Sequence, residues 1–173
     1  ASAAVTSSAF ALSASADTYN AQVDILTALG QSQATQLEFG RFAKPGSGLT
    51  VSIDMESADG STSITGDASD KTQYGSTEVG VITVTGDENE DVDIDIAADN
   101  TASGGLLLSE LNAKYGSASQ VDASGTADIA LDDVAAPTIS GTALKVAGKL
   151  TIDSDVSTGA DKTFDYTVTL SYD

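Results

Sequence analysis

Residues 87–99 hold seven carboxylates: Asp87, Glu88, Glu90, Asp91, Asp93, Asp95 and Asp99. Asp91, Asp93 and Asp95 alternate with Val92, Ile94 and Ile96. On a strand the three aspartates therefore share one face, about 7 Å apart. Such a row repels itself, and calcium, a cation that takes six to eight oxygen ligands, would relieve the repulsion. A flat row does not converge on one point, however, so a solvated acidic face is the plainer reading. A second candidate surrounds Asp153, Asp155 and Asp161, whose spacing loosely imitates the start of an EF-hand loop. Counting from Asp153, glycine is seventh instead of sixth, and the twelfth residue is Phe164 where a glutamate is needed. An ordinary turn is expected there, with no metal and no cofactor assigned.

Catalysis by familiar side-chain sets is largely excluded. The chain has no Cys, His or Trp. Without Cys or His there is no Ser-His-Asp or Cys-His nucleophile and no zinc site of the usual ligand set. A glycosidase would need two positioned carboxylates, and usually aromatic platforms for the sugar, in which this chain is poor. No phosphate-cradling GxxxxGK[ST] motif occurs. The expectation is a protein that is not an enzyme. Its formal charge of −19, from 26 acidic and seven basic residues, disfavours nucleic acid and anionic membranes as partners. Arg41, Lys145 and Lys149 are scattered along the sequence and suggest no basic patch. No apolar stretch approaches the length of a membrane span, so no membrane insertion is expected.

The elements that would position such residues are strands. Thr, Val, Ile, Ser and Gly dominate, Pro occurs twice, and short alternating runs are separated by turn-like clusters. Strands are expected over residues 20–29, 34–42, 49–55, 62–65, 79–85, 91–97, 104–111, 126–131 and 138–152. Residues 30–33 read as a break, and 66–76 as a loop. Residues 79–85 and 91–97 read as a hairpin through residues 86–90. Gly141 and Gly148 read as bends or bulges in the long stretch after residue 138. A last hairpin is expected to turn through residues 153–161 into the terminal strand. There Phe164, Tyr166, Val168, Leu170 and Tyr172 alternate with Asp165, Thr167, Thr169 and Ser171, the pattern of a half-buried strand. So many strands in one chain imply an all-β sandwich or barrel.

Residues 1–16 carry no charge, Pro or Gly. Phe10, Leu12, Ala14 and Ala16 fall on one face at period two. Such a strand cannot satisfy its backbone or bury Phe10 alone. It reads either as a tail or as a strand donated to another sheet. Ala14-Ser15-Ala16 has small residues where signal peptidase reads them. The expectation is a secreted protein whose leader has been removed ahead of Ala1.

Penultimate Tyr172, with Gly159 fourteen positions before Asp173, resembles the C-terminal motif of chaperone–usher pilins. Leu37-Glu38-Phe39-Gly40, Val81-Ile82-Thr83-Val84-Thr85-Gly86 and Gly148-Lys149-Leu150-Thr151-Ile152 also resemble a family of small secreted bacterial β-sandwich proteins. Well-studied pilins carry a cysteine pair, which this chain lacks. The resemblance implies an immunoglobulin-like β-sandwich that is incomplete and finished by a donated N-terminal strand. Residues 1–18 would be the donor extension and residues 19–173 the domain. The implied function is a structural subunit of a cell-surface filament for adhesion or biofilm. Its partners would be copies of itself, with a periplasmic chaperone and an outer-membrane usher as accessories. Phe10, Leu12, Ala14 and Ala16 would donate, and Gly159, Phe164, Tyr166, Val168, Leu170 and Tyr172 would border the acceptor groove. The alternative is a self-contained secreted β-sandwich that binds carbohydrate or calcium, with an N-terminal tail.

Overall fold

The computed structural model describes residues 20, 22–55, 58–98, 104–123, 128–159 and 162–173. Twelve strands and no helix are found among them. The first six are β1 (Gly30–Thr35), β2 (Arg41–Phe42), β3 (Thr50–Met55), β4 (Thr62–Gly66), β5 (Gln73–Tyr74) and β6 (Gly80–Thr85). The rest are β7 (Val92–Ala98), β8 (Leu106–Tyr115), β9 (Val121–Asp122), β10 (Asp128–Val134), β11 (Thr142–Asp153) and β12 (Tyr166–Tyr172).

All pairings are antiparallel, and they build a β-sandwich. The larger sheet runs β1-β6-β11-β3-β4, with β8 and then β9 added on the other edge of β11. Strand β11 organises it. Thr142 to Val146 pair with β6 and Lys149 to Asp153 pair with β3, so one edge of a twelve-residue strand serves two partners in succession. The opposite edge is followed by β8, with a register shift between Ala147 and Lys149. That shift falls on Gly148, a position read from the sequence as a bend. The smaller sheet is β10-β7-β12.

Period-two alternation fills the space between the sheets. Val92, Ile94 and Ile96 of β7 are buried against a cluster that includes Val51, Ile53 and Met55 of β3, Val84 of β6 and Leu144 and Val146 of β11. Each such side chain contributes roughly 1.5–3 kcal/mol on leaving water. Asn112 of β8 is buried in this apolar layer, and its amide nitrogen donates to the Met55 carbonyl at 2.6 Å.

Four expectations are corrected. Strands β6 and β7 are not a hairpin, because β6 pairs with β1 and β11 in one sheet while β7 pairs with β10 and β12 in the other. Strands β11 and β12 likewise lie in different sheets. Both connections cross the sandwich, and alternation alone cannot reveal this, since strands on either side of a core show the same pattern. Residues 22–29 form no strand, and Val23 and Ile25 are 78% and 87% exposed. Residues 30–33, read as a break, instead belong to β1 and pair with β6.

Candidate functional site

Among the described residues, strand β12 bonds to β7 alone, on one edge. Asp173 N–H donates to the Asp91 carbonyl at 3.2 Å, and the register places Tyr172, Leu170 and Val168 opposite Val92, Ile94 and Ile96. In an antiparallel ladder, alternate residues bond to opposite edges. Odd-numbered residues of β12 therefore bond to β7, and the N–H and C=O groups of Tyr166, Val168 and Leu170 point outward. Among the described residues no strand pairs with that outer edge. One of its acceptors, the Val168 carbonyl, takes a hydrogen bond from the Gln31 side-chain amide at 3.1 Å.

Gln31 belongs to β1, which pairs only with β6 among the described residues. The two sheets thus present bare edges side by side, and between them runs a groove of about 1320 Å³. Its long axis is fixed by two contacts. At one end Gln31 meets Val168. At the other the Phe39 and Phe164 rings pack with centroids 5.6 Å apart, tilted by 57°. The lining also includes Arg41 of β2, Lys44 just after it, and Lys162, which leads into β12. The floor is core: Ile82, Leu106, Leu150 and Ile152 all line it.

Burial records the same asymmetry. Val92, Ile94 and Ile96 on β7 are at most 1% exposed, whereas every inward side chain of their neighbour β12 is only half-buried. Tyr166 reaches across the core, and its hydroxyl is buried without a partner among the described residues. Burial raises its pKa.

Of the residues expected to border an acceptor groove, Gly159, Phe164, Tyr166 and Val168 line this one. Leu170 and Tyr172 continue along β12 past its end. The Tyr172 hydroxyl accepts from Asp87 N–H at 2.7 Å and donates to the Thr27 carbonyl, so it acts as a tether. The expected donors Phe10, Leu12, Ala14 and Ala16 lie outside the described residues.

The acidic candidates are engaged otherwise. Asp91 and Asp93 do alternate outward with Asp95, but their carboxylates accept main-chain N–H bonds from Ala136 at 3.1 Å and Asp133 at 2.9 Å. Asp153 accepts from Asp155 N–H at 2.7 Å inside its own turn, and Asp161 lies outside the described residues. Among the described residues no three carboxylates are arranged so that they could hold a metal ion. Where acids do approach, at the Tyr172 pole, a hydrogen bond with Asp133 and the charges of Asp133, Asp93 and Asp91 raise the pKa of Asp173. Elsewhere hydrogen bonds lower carboxylate pKa values: Lys145 at Asp59, Thr50 N–H at Asp67 and Asn89 N–H at Asp87.

Two features escaped the sequence. Gln31 sits in a run without apolar residues, and Arg41, Lys44 and Lys162 come to line one groove only by folding.

The model of a family described as a domain of unknown function, DUF4402, matches residues 29–172. The chain belongs to that family. No curated protein and no solved structure matches it. The family domain begins one residue before β1 and spans the whole groove, while residues 1–28 fall outside the matched region.

Proposed function

We propose that this protein is the structural subunit of an extracellular filament and polymerises by donor-strand complementation. The observation that carries the reading is the outer edge of β12, unpaired among the described residues, beside a groove floored by core side chains. An unpaired edge of this kind is a template for another strand. The occupant is the segment around residues 3–16 of a second copy, whose Phe10 and Leu12 alternate at the period a strand requires. Main-chain bonds extend the β10-β7-β12 sheet, and alternate side chains descend onto the groove floor. Because donor and acceptor surfaces differ, the contact is heterologous and repeats along a line. Burying Phe10 and Leu12 contributes roughly 1.5–3 kcal/mol each, beside ladder bonds of about 1 kcal/mol apiece.

Deleting residues 1–16 tests this directly. The expected product is an aggregation-prone monomer that a synthetic peptide of those residues stabilises. A truncated protein that stays soluble, melts like the full chain and ignores the peptide contradicts the reading and favours a self-contained binding module.

A further inference from the structure

The groove is lined by cations that make no ion pair among the described residues. Its lining includes Arg41, Lys44 and Lys162, three of only seven basic residues, against two acids, Glu38 and Asp165. The described ion pairs are made by other lysines, Lys114, Lys145 and Lys149. Lys162 instead donates to the Ser157 hydroxyl at 2.8 Å. All three line the groove; Arg41 and Lys162 each stand two residues along the chain from a ring of the Phe39–Phe164 pair, and Lys44 follows Arg41 by three.

The opposite pole is acidic. Asp91, Asp93, Asp133 and Asp173 lie close together where β12 ends, near enough for mutual repulsion to act on Asp173. The same pole holds the root of the N-terminal segment. Thr27 N–H donates to Asp87 at 3.3 Å, and its carbonyl accepts from Tyr172. Thr27 is therefore tethered at the Tyr172 pole.

The first acid of the chain is Asp17, directly after the uncharged residues 1–16. We infer that the Arg41, Lys44 and Lys162 rim receives the Asp17 carboxylate of the incoming copy and thereby sets the direction and register of the donated strand. This rests on the donor-strand reading above. Three lines agree on it. An incoming segment antiparallel to β12 brings Asp17 to the cations, whereas a parallel one brings it to the aspartates at the other pole. Antiparallel entry also places the Tyr172 pole of one copy against the Phe164 pole of the next, an arrangement that propagates without reversal. Nine residues lie between Asp17 and Thr27, and the ten steps reach at most about 36 Å, so the connection is long enough for Asp17 to seat on a neighbouring copy.

Side-chain parity narrows the register. Inward residues of the donor must oppose inward residues of β12, so even numbers face even numbers. With Asp17 beside Lys162 and the groove ending at Val168, Phe10 faces Val168, Leu12 faces Tyr166 and Ala14 faces Phe164. The small residue thus meets the end already filled by two aromatic rings.

Charge reversal in the full-length protein tests the rim. Asp17→Lys, and separately Arg41→Glu with Lys44→Glu and Lys162→Glu, should each slow assembly about tenfold at low salt, the lower range of electrostatic steering. Asp17→Asn should fall between. Mixing the two reversed proteins should restore the wild-type rate, because each donor then finds a complementary rim; the recovery also shows that both are folded. The differences should vanish near 1 M salt, where screening acts within about 3 Å. Light scattering gives the rates. Asp17→Lys assembling at the wild-type rate, or a mixture no faster than its components, overturns the rim. Phe10→Asp with Leu12→Asp is the control. Assembly that survives it overturns the donor reading and the rim together, whereas a blocked control beside an unaffected Asp17→Lys overturns the rim alone.

Discussion

Tyr166 and Gly80 provide a test of the packing that joins β12 to the larger sheet. The Tyr166 hydroxyl is buried, has no described partner, and lies 2.8 Å from where a Cβ on Gly80 would sit. Tyr166→Phe removes an orphaned polar atom. Burial of an unsatisfied hydroxyl costs about 1–3 kcal/mol, so the variant should be as stable as the parent or more stable by about 1 kcal/mol. Gly80→Ala drives a methyl group against that oxygen, with the Leu37 Cβ only 3.2 Å away on another side. Overpacking of this kind costs about 1–3 kcal/mol, partly offset by the 0.4–1 kcal/mol or so that alanine removes from unfolded-chain entropy. In the double variant the oxygen is gone, and most of the loss should be recovered, a coupling of about 1–2 kcal/mol. Urea titration of unassembled protein measures all four corners of the cycle. A Tyr166→Phe protein less stable by more than about 1 kcal/mol, or strictly additive variants, would refute this account of how β12 is held.

Other outcomes follow from the same contacts. Tyr172→Phe should behave oppositely to Tyr166→Phe, losing about 1–2 kcal/mol in urea, because it strips Asp87 N–H and the Thr27 carbonyl of their shared partner. Asp59, Asp67, Asp70 and Asp87 have pKa values held below the ordinary carboxylate value, so their contribution is complete above that value and is lost as pH falls through the lowered ones. Asp173 has the opposite sign, its raised pKa giving a relative gain as it takes up a proton. Acid titration by circular dichroism should therefore show stability falling below about pH 4, with Asp67→Asn less sensitive to acid than the parent. EDTA should leave the melting temperature unchanged, because Asp91 and Asp93 already accept main-chain hydrogen bonds; a drop of several degrees would indicate structural calcium.

The all-β sandwich was legible because most inward positions are Val, Ile or Leu at period two, as in Val92, Ile94 and Ile96. The bend at Gly148 was legible for a similar reason: a glycine inside a long alternating run has few other uses. Sheet membership was not, since β6 and β7 carry the same alternation on opposite sides of the core. Most of strand β1 was invisible because Gly30-Gln31-Ser32-Gln33 is mostly exposed edge with no apolar face to announce it, and only Ala34 and Thr35 fell within an expected strand. The reverse error occurred at residues 22–29, where Val23 and Ile25 alternate convincingly yet face solvent. Half of the candidate site was readable from the terminal alternation. The other half, the wall supplied by β1 and the cations at positions 41, 44 and 162, exists only through long-range folding.

Site-resolved amide hydrogen exchange on β12 tests the central claim most directly. Thr167, Thr169 and Ser171 bond to β7, so their N–H groups should be protected in every state. Tyr166, Val168 and Leu170 point to the bare edge. Their N–H groups should exchange quickly in the unassembled Phe10→Asp, Leu12→Asp protein and become protected in wild-type assemblies. Equal exchange of those three amides in both states, or protection already complete in the unassembled protein, would contradict a strand donated to this edge.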